Sequence, residues 1–564
     1  MSDDAIHAEA EPDYVELLLA WAERRPNETW LHQPMDGRWV TYTWAQCADQ
    51  VARMASALRA TGFPPGSRIG ISGRNTAHWY LADLAISMAG YVPVGLYPRQ
   101  SEKISRYIFE HAEIRGLFVG PASDVEQLLA AVPAEVPRWS LPYAEVPVLD
   151  DSWERMIAAH PPYTGYVQPP PDRMAMLIYT SGTSGMPKGV VITTGNIAFA
   201  AERFRRHVLR PQGFLRGQQR ERLLSYLPLA HLFERLAGEG TSLVIGAEVY
   251  FLESIEAMGA TLSEVAPTFF GGVPLVYSRI QAGVLAKLPQ PKLDRLLRIP
   301  LFGTYVRRSI RKKIGLQHAK FCVTGSAPIA DNLVAWFERL GIHVMQGYGL
   351  TENFAYTSCN LAHSQRLGSV GKPLPEAEVK LGENDEILTR HAGVMAGYYR
   401  DEERTREVFT ADGYFRTGDK GRFDRDGFLY IVGRTKDIFK TMKGRYVAPA
   451  PIEEKLRTSD IESCCLVGPG VPQPIMLVSL AAGALLQPRE TVQRNLLTAM
   501  EAVNATLESH EQIAKIVVVA QAWTIDGGLL TPTMKVKRDE VQKRYADLIA
   551  REAANRDPFV WEAL

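Results

Sequence analysis

The sequence predicts a mixed α/β and α+β architecture. A large, multi-lobed N-terminal domain of mostly parallel β-sheets packed by helices, with a small β-rich lobe, precedes a smaller α+β domain. Three observations predict it. Up to about residue 350, short apolar strand patterns alternate with helical ones, a succession that produces parallel sheet with helices on its faces. From about Val370 the texture turns to glycines, acidic turns and short apolar segments, as in GEND, DGYFRTGD and DRDGFLYI. After Arg434 to Asp437 a mixed strand and helix pattern resumes for about 130 residues, the size of a small domain. The 564 residues exceed one ordinary core. The expected domains are 1–434, with the β-rich lobe at about 370–434, and 435–564.

The elements follow in order. Leu17, Leu18, Trp21 and Ala22 mark one helical face, and 42–58 another, with Thr43 as its cap. Arg68–Ser72 reads as a strand, 75–89 as a helix, 91–95 as a strand, and 112–119 contains a third strand. Residues 223–227 and 243–245 read as strands. Phe321–Thr324 is a strand ending at Gly325-Ser-Ala-Pro, Asp331–Arg339 a helix, and Val344–Tyr348 the next strand. Strand ends of this kind are where open α/β sheets bind ligands. Further on come a helix at 451–456, strands at 463–467 and 475–480, a helix at 491–507 and a strand at 516–519. In the tail 537–551, Val541, Tyr545, Leu548 and Ile549 share one helical face.

Composition removes several functions. The chain is 46% hydrophobic and 22% charged, as soluble globular proteins are. Its 63 basic and 63 acidic residues cancel, which argues against nucleic acid as the main partner. Cys47, Cys322, Cys359, Cys464 and Cys465 have neither metal-ligand nor disulfide spacing and fit a reducing compartment. The segment MSDDAIHAEAEPDY is acidic without an apolar core, so no secretory signal is expected. Residues 474–486 are apolar but shorter than the ~20 needed to span a bilayer, and their internal glycine suits a strand and turn.

Five segments can carry chemistry. Thr180 to Gly189 reads TSGTSGMPKG after the apolar run 174–179. Gly182, Gly185 and Gly189 permit tight turns, successive amides form an anion-binding nest, Thr180, Ser181, Thr183 and Ser184 add hydroxyls, and Lys188 a mobile charge. The common nucleotide loop needs a hydroxyl residue after its lysine; here Gly189 follows. Gln346-Gly-Tyr-Gly-Leu-Thr-Glu352 ends a strand: Tyr348 can stack on a base, Thr351 donate to a phosphate, and Glu352 hold Mg²⁺ through hard oxygen. Asp419, on a glycine turn in Arg416-Thr-Gly-Asp, can accept both ribose hydroxyls. Arg434 opens the charged turn RTKD and can reach the same sugar. Leu530-Thr-Pro-Thr-Met-Lys-Val-Lys537 places two lysines after a glycine-rich turn; a solvent-facing basic turn explains them equally well.

Together these segments resemble the adenylate-forming superfamily of acyl-CoA synthetases, peptide adenylation domains and beetle luciferases. YTSGTSGMPKGV, YGLTE, YFRTGD, GRTKD and a distal lysine occur in the family's order, and the resemblance covers about residues 15–550. LPLAHLFER at 227–235, AEVYFLES at 247–254, FFGGVPLVY at 269–277, DIFK at 437–440 and LTPT at 530–533 are similar to the long-chain fatty acyl-CoA synthetase branch.

The resemblance implies two half-reactions: a carboxylate attacks the α-phosphorus of Mg-ATP and releases pyrophosphate, then the thiol of coenzyme A attacks the acyl carbon and expels AMP. It implies that Thr180 to Lys188 hold the outer phosphates, that Thr351 and Glu352 serve the α-phosphate and Mg²⁺, and that Thr180 also faces the metal. Gln346, Gly347, Tyr348 and Gly349 would lie along the nucleotide, Tyr348 on the adenine. Gly325, Ser326 and Ala327 would line the adenine pocket, Asp419 and Arg434 hold the ribose, and His231 sit near the acyl carboxylate. Lys537 would bridge carboxylate and α-phosphate. Lys436 would be the hinge of a mobile small domain, whose rotation exchanges Lys537 for the Gly444 loop that meets coenzyme A. Two features depart from the family's pattern. Val536, not glycine, precedes Lys537, with Lys535 as a competitor, and the coenzyme A loop reads MKGRYVAP.

The acid is expected to be a medium- to long-chain fatty acid, each buried methylene drawing ~0.8 kcal/mol. Phe233, Phe269, Phe270, Val273 and Leu275 are candidate walls and equally candidate core. Arg203 to Arg222 and Arg295 to Lys313 each carry seven basic residues. They can be solvated faces, meet coenzyme A phosphates, or rest on an anionic membrane. The expectation is a cytoplasmic monomer or homodimer, with peripheral contact at the inner membrane face. The alternatives are an adenylating ligase with another acid or acceptor (a fatty acyl-AMP ligase or an aryl-CoA ligase) and an inert binding scaffold.

Overall fold

Two large sheets organise most of the chain. A computed structural model describes residues 11–122, 124–180, 186–214, 220–362, 364–442, 444–469, 471–531 and 534–562. The chain divides into two compact units: 1–327 with 332–379 and 389–415, and 328–331 with 380–388 and 416–564.

In the first unit an eight-stranded sheet has the order Gly397–Tyr398, Lys188–Thr193, Met174–Thr180, Val92–Leu96, Arg68–Ser72, Ile114–Val119, Arg138–Ser140, Asp151–Ser152. It is parallel from Met174–Thr180 to Asp151–Ser152 and antiparallel at the other edge. The second sheet has nine strands, with Val344–Tyr348, Phe321–Thr324, Phe269–Gly272, Arg222–Ser225 and Glu248–Phe251 parallel at its centre. Strands here are short and apolar on both faces, as parallel sheets buried between helices require. Helices Tyr14–Arg24, Trp44–Ala60 and Ala77–Met88 cover them, the second capped by Thr43 as its sequence predicts. Trp21, Trp44 and Trp30 stack in series, at 5.8 and 4.5 Å between ring centroids.

Two expectations change. Residues 243–245 are not a strand: they belong to the helix Thr241–Ile245, which stops at Gly246 in the left-handed region, φ 64°, and the strand is Glu248–Phe251. Three consecutive apolar residues buried on all sides carry no periodicity to distinguish helix from strand. The tail is two helices, Arg538–Arg544 and Ala546–Ala554, broken at Tyr545, φ −106° and ψ 19°. The hydroxyl of Tyr545 accepts from the Trp523 indole at 3.2 Å.

In the second unit residues 419–423 of the strand Phe415–Phe423 pair with Leu429–Arg434 as an antiparallel ladder. A four-stranded sheet, Ile461–Val467, Ile475–Leu480, Lys515–Val518 and Phe559–Trp561, packs with the helices Pro449–Leu456 and Arg489–Asn504 on one face and Arg538–Arg544 on the other. Cys464 and Cys465 lie in its first strand, and all five cysteines are free and buried. Among the described residues no helix is long and apolar enough to cross a membrane.

Candidate active site

Met174–Thr180 runs antiparallel to Lys188–Thr193, with Thr180 opposite Lys188. The hydroxyl-rich segment therefore joins two paired strands whose ends face each other. Ser181, Gly182, Thr183, Ser184 and Gly185 lie outside the described residues. At one end, the hydroxyl of Thr180 is buried with no hydrogen-bond partner among the described residues. An unsatisfied buried hydroxyl costs about 1–3 kcal/mol, so the position suits an oxygen-rich ligand or a cation.

At the other end, Lys188 Nζ stands 2.9 Å from Glu352 Oε1 and 4.2 Å from the centroid of the Tyr398 ring, and donates to the Tyr398 hydroxyl. That hydroxyl donates in turn to Glu352 Oε1 at 2.8 Å. Burial opposes the charge on Glu352, but Lys188, backbone bonding and Tyr398 outweigh it and hold the carboxyl below its ordinary range. The site thus keeps a buried carboxylate ionised beside a partly exposed ammonium. Among the described residues no three His, Cys, Asp or Glu side chains gather to cage a metal. Magnesium needs less: one or two carboxylates with phosphate oxygens and water suffice, and Glu352 with the Thr180 hydroxyl is a fitting donor set.

Glu352 is positioned by the turn Thr351–Asn353 that follows Val344–Tyr348. Asn353 pins this turn: its side chain accepts from Leu350 N–H and donates to Thr357, both at 2.8 Å. Met395 N–H bonds the Glu352 carbonyl at 2.7 Å, while Thr351 is buried beside it. Thr324 lies opposite Gln346 in the parallel pair, so Gly325, Ser326 and Ala327 leave the sheet beside Gln346, Gly347, Tyr348 and Gly349. Ser326 takes a positive φ of 65°, strain that costs of order 1–3 kcal/mol and collects at ligand sites.

His231 caps a short helix: its Nδ1 accepts from Phe233 N–H at 3.1 Å, which leaves Nε2 as the proton carrier of the neutral ring. The preceding loop is tied down by Asn75, which donates to the Leu227 carbonyl and to Ser225 Oγ at 2.7 and 2.9 Å. Ser225 donates to Glu234 at 2.6 Å. Burial pushes the Glu234 carboxyl up to about 8 against the bonds it accepts. Beneath it lies the fully buried set Asp83, Arg235 and Glu239, with Arg235 at 2.7 and 2.9 Å from the two acids. Of the candidate acyl walls, Phe269 and Phe270 are core residues stacked on Phe321 and Tyr226, and Phe233 is half-buried.

In the second unit Asp419 lies directly opposite Arg434 and forms a 2.8 Å ion pair with it. Asp419 is buried, whereas 47% of the Arg434 side chain is exposed. The lysine loop turns at Thr531, whose N–H bonds the Lys535 carbonyl at 2.8 Å, with Met534 at φ 62°. The Lys535 side chain reaches solvent, yet its ammonium is pulled below the ordinary lysine range, first by loss of hydration, then by repulsion from Arg434, with Asp419 opposing. Lys537 instead leads into the helix Arg538–Arg544 and bonds its N–H to the Leu529 carbonyl. Lys436 is exposed on a turn, and Gly444, φ 75°, sits in the turn between Phe439–Lys440 and Tyr446–Val447.

Two residues escaped sequence reasoning. Tyr398 has no local motif and becomes visible only when its strand pairs with Lys188–Thr193. Arg538 anchors the lysine loop: it bonds Glu453 at 2.8 Å and the Leu466 carbonyl at 2.8 Å. Its place directly after Lys535-Val-Lys537 was the available signal.

Residues 18–399 match the model of the AMP-binding enzyme family and residues 436–555 that of the AMP-binding enzyme C-terminal domain. The chain is 30% identical to the long-chain-fatty-acid–CoA ligase FadD15 of Mycobacterium tuberculosis, covering 95% of this chain and 96% of that one. It is 28% identical to long chain acyl-CoA synthetase 6, peroxisomal, of Arabidopsis thaliana, over 93% and 83% respectively. Among solved structures, the adenylation domain of a carboxylate reductase from Mycobacterium chelonae superposes with a TM-score of 0.80 at 20% identity, over 98% of this chain and 93% of that one. An anthranilate CoA ligase in complex with anthranoyl-AMP gives 0.76 at 21%, over 98% and 100%. At these identities the structural likeness speaks for the fold alone.

Proposed function

We infer that this chain, which belongs to the AMP-binding enzyme family, activates a fatty acid with ATP and transfers the acyl group to coenzyme A, releasing pyrophosphate and then AMP. The curated relatives named for long-chain fatty acids support the acid and the acceptor. One observation carries the reading: a buried Thr180 hydroxyl without a partner among the described residues at one end of the hydroxyl-rich segment, and an ionised Glu352 held by Lys188 and Tyr398 at the other.

The first step needs charge neutralisation rather than a general base, because a fatty acid is already ionised at neutral pH. Lys188 turns from Glu352 to the outer phosphates of ATP. Glu352 and Thr180 would hold Mg²⁺, which would offset phosphate charge. Thr351 faces the α-phosphate. Gln346, Gly347, Tyr348 and Gly349, with Gly325, Ser326 and Ala327, receive the adenosine, Tyr348 on the base face, while Asp419 and Arg434 hold the ribose. His231 orients the acyl carboxylate.

A lysine of the distal loop then bridges carboxylate and α-phosphate. Spacing favours Lys537; the electrostatic environment beside Asp419 and Arg434 supports Lys535 ahead of it. For the second step, residues 435–564 turn about Lys436, exchange the lysine loop for the Gly444 loop, and admit the pantetheine arm. The preferred acid is of medium to long chain, and the enzyme works as a cytoplasmic monomer or homodimer with peripheral access to a membrane face.

The test supplies Mg-ATP with acids of graded length, with and without coenzyme A, and follows pyrophosphate, AMP and thioester. Acid-dependent AMP and acyl-CoA support the reading, whereas pyrophosphate without thioester assigns another acceptor. Aryl acids outrunning every fatty acid would assign another substrate class.

A further inference from the structure

We propose that the helix pair Gln290–Arg298 and Phe302–Lys313 is a docking surface for a lipid bilayer carrying anionic headgroups, with Leu301, Phe302 and Tyr305 entering the interface. It rests on the peripheral membrane access proposed above, which it assigns to one surface, and is independent of the acid and acceptor of the reaction.

The two basic stretches of the sequence are not alike in the fold. The first is spent on ion pairs: Arg203 with Glu11 and Glu376, Arg205 with Glu202, Arg220 with Glu248. In the second, no ion pair to a carboxylate involves Arg308, Lys312 or Lys313 among the described residues, and Arg298 has only the neighbouring field of Asp294. Residues 295–330 contain no Asp or Glu, against seven Lys or Arg in 295–313 alone. Asp294, just before them, already accepts from Gln290 and from Arg339. Arg298, Arg308, Lys312 and Lys313 are exposed.

The apolar residues divide sharply. Leu293, Leu297, Val306 and Ile310 are buried. The helices meet closely at Gly303, where a Cβ would stand 2.6 Å from the Leu297 carbonyl. Outside, at the junction of the two helices, Leu301 is 89% exposed, Tyr305 67%, Phe302 46% and Ile299 45%. Four large apolar side chains within seven residues are unlike the single scattered ones of an ordinary surface.

The backbone keeps them there. Leu301 sits at φ 63° and ψ −50°, with Phe302 N–H bonded to the Pro300 carbonyl at 2.7 Å. This is the rare γ-turn with positive φ, a strained conformation for leucine. It holds Leu301 outward at the tip, with Phe302 and Tyr305 three residues apart on the exposed helix face and Arg308 and Lys312 continuing it. An apolar tip beside the exposed cations Arg308, Lys312 and Lys313 matches the headgroup boundary: aromatic and aliphatic side chains enter the acyl edge and the cations meet lipid phosphate. A soluble acidic protein would match the cations but would leave the tip unexplained.

The test is co-sedimentation of the full chain with phosphatidylcholine vesicles, with and without phosphatidylglycerol, across a salt series. The expected result is binding that requires phosphatidylglycerol and weakens as salt rises. Leu301→Ser with Tyr305→Ser, and separately Arg308→Glu with Lys312→Glu, should each weaken it about tenfold or more at unchanged Tm. No phosphatidylglycerol-dependent binding by the unsubstituted protein, or variants that bind like it, would overturn the assignment. So would sedimentation velocity showing a dimer that Leu301→Ser and Tyr305→Ser dissociate, which would give the surface to a second copy.

Discussion

Lys188 and Glu352 form a 2.9 Å ion pair, and the hydroxyl of Tyr398 is bonded to both. Three distant stretches of chain thereby meet at the end of the hydroxyl-rich hairpin. In the proposed reaction the pair would be the resting arrangement, with Lys188 redirected when a polyphosphate and its cation arrive. Preorganised charge of this kind contributes more in a partly dehydrated site than it would in water.

The pair has a pH signature. Lys188 holds Glu352 below the ordinary carboxylate range against the effect of burial. Lys188→Met removes that support, so Glu352 should protonate at higher pH. Adenylation should fall by about 10²–10³, and the acid limb of the kcat/KM profile for ATP should move to higher pH. A profile lowered but unshifted would separate Glu352 from the reaction.

Thr180→Val should divide stability from activity. The valine keeps the volume and removes a buried hydroxyl that has no partner among the described residues. The melting temperature should hold or rise, by up to about 1–3 kcal/mol in stability, while KM for Mg-ATP rises about tenfold. A clear loss of stability with unchanged KM would contradict a ligand role for this hydroxyl.

The lysine loop can be decided by separating the half-reactions. Lys535, beside Asp419 and Arg434, should be needed for adenylation. Lys535→Ala should slow acyl-adenylate formation by about 10²-fold or more and leave thioester formation from supplied acyl-adenylate nearly intact. Lys537→Ala should be mild in both steps. The reverse ranking would return the role to Lys537.

Glu234 should tilt stability with pH. Its carboxyl is raised to about 8 by burial, so between about 4.5 and 8 the folded protein keeps a proton that the unfolded chain has lost. Stability is therefore full below the unfolded value and falls as pH rises toward 8, with a limiting slope of about 1.4 kcal/mol per pH unit. Glu234→Gln, which can still accept from Ser225, should lack this component. Denaturant titrations of both proteins from pH 5 to 8.5 measure the difference; parallel curves would show that Glu234 is charged in the fold.

Much of this was legible before the fold. Period and flanking turns marked the helix Trp44–Ala60 and the strands Arg68–Ser72, Phe321–Thr324 and Val344–Tyr348 to within a residue or two, because each buries one patterned face or one short apolar run. Residues 243–245 misled because full burial erases periodicity, and Tyr545, where the tail breaks, bonds Trp523, 22 residues away, a contact no local period can show. The motifs named Thr180, Lys188, Glu352, Asp419 and Arg434 through their chemistry. They could not name Tyr398, 210 residues from Lys188, because its part is created by strand pairing. Nor could they show that Asp419 and Arg434 face each other across one ladder. The patch at Leu301 was half legible: the run of cations is plain in sequence, whereas the outward leucine depends on a backbone conformation no propensity favours.

The most direct test of the account is acid-dependent exchange of labelled pyrophosphate into ATP in the absence of coenzyme A. The reversible first step predicts exchange that requires Mg²⁺ and a fatty acid, strengthens from short to long chains, and drops sharply in Lys188→Met. Exchange without any acid, or steady acyl-CoA production from an enzyme that shows no exchange, would contradict it.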